Sequence, residues 1–171
     1  ADLAADKVAE FTEENYSGHL TEDDMLAYHL WIQDGGLVTA EQFGKLHYDE
    51  KMDILDYIAE ASLFEIIDNG GKEYRLVHAG LANFAADKRL EEYDLYELLE
   101  ERADYTRRYY PDKNIFLVTG HTPTVFIDDW GKTEVYRKNG HIAMDCGCVG
   151  GGKLAAFCVE MEAIVYVEGP E

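Results

Sequence analysis

Two short stretches place a histidine in the same setting. Arg75-Leu76-Val77-His78-Ala79-Gly80 and Phe116-Leu117-Val118-Thr119-Gly120-His121 each put an imidazole after an apolar run that reads as a buried strand, with glycine close by. A strand end holds a side chain rigidly while the loop beyond it opens to solvent, and flanking glycine lets a ligand approach the backbone. Imidazole nitrogen is a good ligand for Zn, Mn or Fe. Spacing alone leaves two readings open: ligands of a divalent metal, or two unrelated histidines hydrogen-bonded at strand ends. No carboxylate partner stands out in the sequence to decide between them.

Other reactive side chains have plainer uses. Cys146 and Cys148 form a spaced thiol pair, but no further ligand cluster joins them, and they read as packing at an apolar strand end. Asp145 reads as a strand-end group bonded to backbone, with orientation of a metal site as its other use. Asp128-Asp129 is a turn by composition, with a surface cation site as the alternative. His19, His29, His47 and His141 are expected at the surface or half-buried. Tyr93, Tyr96, Tyr105, Tyr109 and Tyr110 recur at helical spacing and are expected to pack a helix onto a sheet. The acidic run Glu91 to Glu101 reads as a solvated helix face.

These residues need elements to position them. Leu3, Ala4, Val8 and Phe11 predict a helix over 1–15. Thr21 with Asp24 forms a capping box, and Met25, Leu26, His29 and Leu30 continue an apolar face from it until Asp34-Gly35-Gly36 stops the helix. Thr39 is expected to cap a short piece through Phe43. A further helix is predicted over Asp49 to Ala61. Leu63 to Ile67 and Tyr74 to His78 then read as strands joined at Asp68-Asn69-Gly70-Gly71, a strong hairpin signal. Leu90 to Tyr109 reads as a helix ended by Pro111, and Ile115 to Thr119 as a strand. Strands are predicted again at Val125 to Asp128, Thr133 to Arg137, His141 to Asp145, Leu154 to Glu160 and Ala163 to Val167. The expected class is α+β, helices first and then a mostly antiparallel sheet. At 171 residues the chain is one domain in size, with a helical region over 1–62 and a sheet region over 63–171.

Composition narrows the function. Fifteen basic and 35 acidic residues give a net charge of −20, which repels nucleic-acid phosphates and anionic membranes. An anionic substrate would therefore need a strong local positive charge, from a metal or well-placed arginines. No run approaches the ~20 apolar residues of a membrane span. The charged start is not that of a signal peptide, and the absence of an initial methionine suggests that something upstream has been removed. Three cysteines, an odd number in one apolar stretch, point to a reducing compartment such as the cytoplasm.

Three motifs in order carry a family resemblance. Val77-His78-Ala79-Gly80-Leu81, then Val118-Thr119-Gly120-His121-Thr122-Pro123-Thr124, then Met144-Asp145-Cys146-Gly147-Cys148 with Gly151-Gly152-Lys153-Leu154, resemble the later motifs of the calcineurin-like metallophosphoesterases. The similar branch is the bacterial and phage serine/threonine protein phosphatases, together with the diadenosine tetraphosphatases. Trp31-Ile32-Gln33-Asp34-Gly35-Gly36, with Thr39 and Phe43, resembles the helical insert of the bacterial members. The resemblance implies part of an αββα sandwich and a phosphoesterase that uses two divalent ions (Mn, Fe, Zn or Ni) and a metal-bridging hydroxide. It assigns His78 and His121 to the second metal. It assigns phosphate clamping to Arg102, within Leu98-Leu99-Glu100-Glu101-Arg102, where Glu100 stands in place of the usual tryptophan. A helix-surface arginine paired with nearby glutamates is the plainer reading of Arg102.

The early family motifs, Asp-x-His, Gly-Asp-x-x-Asp-Arg and Gly-Asn-His-Glu, do not occur in the sequence. They supply the first metal's ligands and the bridging aspartate. The chain is therefore expected to be a carboxyl-terminal portion that is inactive alone. Phosphoprotein, dinucleoside polyphosphate and small phosphomonoester all fit as substrates. The alternative is a truncated, non-catalytic module that acts by self-association or partner binding through an uncovered sheet.

Overall fold

The computed structural model of the protein describes residues 21–170, which fall into two compact units divided at Ala61/Ser62. The helix expected over 1–15 and His19 lie outside the described residues.

In the first unit, helix α1 (Glu22–Trp31) starts where local chemistry dictates. The Asp24 amide donates to Thr21 Oγ1 at 3.2 Å and the Thr21 amide donates to Asp24 Oδ2 at 2.9 Å, which closes the capping box. The glycines interrupt the helix as expected. Asp34 (φ −81°, ψ 15°) and Gly35 (φ +96°) leave the helical conformation, and α2 (Leu37–Gly44) begins beyond this break with no side-chain cap, so Thr39 does not serve as one. The Trp31 indole explains the second glycine: a Cβ on Gly36 would lie 2.5 Å from it. Helix α3 (Tyr48–Ala59) follows and buries Leu55.

The second unit carries the sheet. Strands β1 (Phe64–Asn69) and β2 (Lys72–Val77) form the expected hairpin across Gly70-Gly71, both at positive φ, as a tight hairpin turn requires. Strand β3 (Ile115–Thr119) falls where expected. Strands β4 (Tyr136–Lys138) and β5 (His141–Ala143) turn at Asn139-Gly140, again with both φ positive. The order is β1-β2-β3-β5-β4. The sheet is mixed: β2 pairs parallel to β3 and β3 parallel to β5, whereas the two hairpins are antiparallel. The long excursions between these strands permit parallel pairing, which a hairpin cannot make. Strands β6 (Lys153–Cys158) and β7 (Ala163–Glu168) form a separate two-stranded sheet.

Two segments depart from expectation. Residues 90–109 are not one helix: a 3₁₀ turn at Leu90–Glu92 and helix α4 (Leu95–Leu99) are followed by irregular chain. Residues 124–126 form a 3₁₀ turn and no strand lies there.

Alternation along the strands splits the core in two. Val77 and Leu117 face one way, into a cluster with Leu81, Leu90, Tyr93, Leu98, Tyr109 and Tyr110, so the irregular chain covers that face. Tyr74 and Ile142 face the other way, with Phe116 and Val118, against Phe157, Ile164 and Tyr166 of the β6–β7 hairpin. The hairpin is pinned by Asn69 Nδ2, which donates to the Val159 carbonyl at 2.8 Å, and by Glu162, which accepts from Tyr74 Oη at 3.2 Å and pairs with Lys72. Tyr96, exposed, packs nothing onto the sheet.

Candidate functional site

Strands β2 and β3 run parallel, so their carboxyl ends lie on one side of the sheet. Leu76 pairs with Val118, and the Gly120 amide donates to the His78 carbonyl at 2.8 Å, extending the pairing one step past the strands. His78 and His121 therefore emerge together, with ring centroids 5.1 Å apart and planes 57° apart. His78 is exposed and His121 half-buried. His121 holds φ +61°, a left-handed backbone that histidine adopts more readily than most residues. The Thr122 amide, which donates to the Gly120 carbonyl at 2.6 Å, holds this turn.

The flanking glycines have different reasons. A Cβ on Gly80 would lie 2.6 Å from the Ala103 nitrogen and the Glu101 carbonyl, so the chain's own backbone occupies that space. At Gly120 the nearest atom, the His78 carbonyl, would be 3.6 Å away, and that side is open. The close approach at Gly80 brings the Arg102 segment to the loop after His78. Two backbone bonds hold it there: the Ala79 amide donates to Leu98 and the Ala82 amide to Glu97, at 2.9 and 3.2 Å.

Glu97 anchors this junction. Its buried carboxylate accepts from Lys88 Nζ at 2.8 and 2.9 Å, from Asn83 Nδ2 at 3.0 Å and from the Asp94 amide at 3.0 Å. Lys88 first, then the Asp94 amide and Asn83, hold its pKa down to about 2. Arg102 is exposed on irregular chain and makes no ion pair or hydrogen bond among the described residues, so neighbouring glutamates do not engage it.

Arg102 also lines a cleft of about 460 Å³, with Tyr105, Thr122, Phe126, Asp128 and Tyr136 among the other walls. The cleft begins at the residue after His121. Of its walls, Thr122 belongs to the Gly-His-Thr-Pro motif and was visible in the sequence. Phe126 and Tyr136 carried no signal, because their approach depends on the 3₁₀ turn and the β4–β5 hairpin.

The remaining candidates have structural uses. Asp145 accepts from the Gly147 amide at 2.9 Å and its carbonyl accepts from the Thr124 amide at 2.7 Å. Cys146, Cys148 and Cys158 are free thiols, and burial raises the pKa of Cys146. Asp129 sits in a turn at φ +61°. His29 and His47 are exposed, but His141 is fully buried, contrary to expectation. Its Nε2 lies 3.1 Å from the Arg107 carbonyl, and its Nδ1 has no hydrogen-bond partner. Burial holds its pKa below the usual histidine value.

The donor set is two imidazoles of a kind that suits a borderline divalent metal, with a free guanidinium on the adjoining segment. It is an incomplete set: among the described residues no three His, Cys, Asp or Glu side chains converge to hold a metal. No helix among the described residues is long and apolar enough to cross a membrane. No protein-family model matches the chain, and no curated protein sequence matches it.

Proposed function

We propose that this chain contributes the second-metal part of a phosphoester hydrolase site of the calcineurin-like metallophosphoesterase type, in the serine/threonine protein phosphatase branch. The observation that supports the reading best is the pairing of His78 and His121 at one end of two parallel strands. Both imidazoles would hold one divalent ion, Mn, Fe, Zn or Ni, and Arg102 would clamp phosphate oxygens. When bound, the metal supplies Lewis-acid polarisation of the phosphoryl group and acidifies water. The chain's own residues bind and orient. His78 and His121 must offer unprotonated nitrogens, so protons compete with the metal. Arg102, with no carboxylate to neutralise it, presents a bidentate donor pair to an incoming phosphate.

A bridging carboxylate would have to come from outside the described residues, and without it the half-site is expected to turn over little or no substrate. Phosphoproteins, dinucleoside polyphosphates and small phosphomonoesters remain the candidate substrates. A reducing, cytoplasmic setting fits the three unpaired thiols. The test is calorimetric titration with Zn²⁺ of the chain and of His78→Ala and His121→Ala. Each substitution should weaken binding more than about tenfold, a loss no smaller than that for a supporting group. Equal binding by all three proteins overturns the reading.

A second reading has its own observation. The outward side of the β6–β7 hairpin exposes Leu154 and Val167, which face each other across the strands, and Val165. An apolar, two-edged hairpin of this kind favours a module that works by association with itself or a partner, without catalysis.

A further inference from the structure

The first unit has helices but almost no core. Helices α1, α2 and α3 are 10, 8 and 12 residues long, and helices that short are marginal in water unless an apolar face is covered. Yet α1 and α2 bury no side chain, and α3 buries only Leu55. Met25, Leu26 and Leu30 on α1, Leu37 and Val38 on α2 and Ile58 on α3 are each at least half exposed. A single exposed leucine needs no explanation, but this many on three short helices make a surface that lacks its cover.

Charge identifies the cover. Residues 21–61 hold ten Asp and Glu against two Lys, a net −8. Residues 62–171 hold twenty against twelve Lys and Arg, also −8, and residues 1–20 hold five against one. Each part of the chain is negative, so a second copy would bring like charge to this surface. Helix α3 shows the arrangement best. Ile54 and Ile58 stand one turn apart beside Leu55. Asp49, Asp53 and Asp56, also at helical spacing, form a second stripe and make no ion pair among the described residues. Tyr57, 79% exposed, lies between the two stripes. The nearest lysine in sequence, Lys51, lies 5.8 Å over the Phe43 ring and leaves those carboxylates unpaired.

We propose that the helical unit docks a basic amphipathic helix of another polypeptide. The apolar side of that helix would pack on Ile54, Tyr57 and Ile58, and its lysines and arginines would meet Asp49, Asp53 and Asp56. The proposal does not rest on the phosphoesterase reading. A helix laid in this way supplies both things the surface lacks, apolar cover and positive charge. A neutral apolar helix supplies only the first, and an unpatterned polycation only the second.

The experiment titrates the full chain calorimetrically, at about 0.15 M salt, with a peptide of about 14 leucines and lysines set at helical spacing. A peptide of the same composition in scrambled order controls for bare charge. The ordered peptide should bind roughly tenfold tighter than the scrambled one, and Ile54→Ser with Ile58→Ser should remove that advantage. Asp53→Asn with Asp56→Asn should weaken the ordered peptide about threefold, the effect of two exposed charge pairs. Asp128→Asn with Asp129→Asn makes the same change of net charge in the second unit and should leave the affinity within the error of the titration. The isoleucines and aspartates are exposed or half-buried, so circular dichroism of the variants should match the parent. Should the isoleucine variant lose helix, the two aspartate variants decide. Equal binding of the two peptides, or equal losses in the two aspartate variants, overturns the proposal. Self-association in sedimentation that the isoleucine variant abolishes also overturns it, by giving the surface to a second copy.

Discussion

His141 shows how one buried residue can set the pH response of the molecule. Its ring packs against Tyr105 and Tyr109, with centroids 5.3 and 5.1 Å away, and burial keeps it neutral. The Arg107 carbonyl and Asp104 pull its pKa up, Arg107 and Arg108 push it down, and burial outweighs them all. The folded pKa thus lies below the ordinary 6.5, and the unfolded chain takes up the proton first as pH falls. The stability held by neutral His141 is complete above about pH 6.5 and declines below it. Urea midpoints should fall between pH 7.5 and 5, and His141→Gln should flatten that part of the profile. An equal slope in the variant would assign the effect elsewhere.

Glu97 works in the opposite range. With a folded pKa of about 2 against an ordinary 4.5, its contribution is present above pH 4.5 and is lost as the pH falls toward 2. Glu97→Gln should lower the thermal midpoint at pH 7 and narrow the gap to the parent protein at pH 3. Lys88 and Asn83 lose their charged acceptor in that variant, so the loop after His78 should loosen as well, seen as faster amide exchange at Ala79 and Ala82.

At the scale of elements, the two glycines by the histidines make a paired prediction. Gly80→Ala drives a Cβ into the 101–103 backbone and should cost about 1–3 kcal/mol, as overpacked positions do. Gly120→Ala meets only an ordinary contact and should stay within about 0.5 kcal/mol of the parent. Denaturant unfolding of both variants checks this, and equal losses would contradict the packing described for Gly80.

The same scale shows what could be read in the residues. Gly70-Gly71 and Asn139-Gly140 announced their hairpins because the left-handed backbone of a two-residue turn is a local demand. Thr21 and Asp24 announced α1 because a cap closes within four residues. Residues 90–109 misled because burial of tyrosines at helical spacing does not require a helix. Tyr93, Tyr109 and Tyr110 reach one core cluster from irregular chain held by its bonds to the 79–82 loop and by Arg108, whose guanidinium donates to the Tyr110 and Asp112 carbonyls.

For the whole molecule, the exposed side of the β6–β7 hairpin is the feature with consequences in solution. Leu154, Val165 and Val167 lie on one face, and each is more than 60% exposed. If the second reading holds, sedimentation should show concentration-dependent association that Val165→Lys with Val167→Lys abolishes. A monomer of constant mass across concentration would remove that reading.

Residue order alone determined the two hairpin turns, the Thr21 cap, the β3 strand and the strand-end setting that His78 and His121 share, because each depends on neighbours within a few positions. It also set the −20 charge that any anionic ligand must overcome. The parallel pairing of β2 with β3, the burial of His141 and the cleft from Arg102 to Phe126 were decided only by the tertiary structure. Strand direction, desolvation and concavity arise from contacts between segments tens of residues apart, and no local spacing encodes which of those segments will meet.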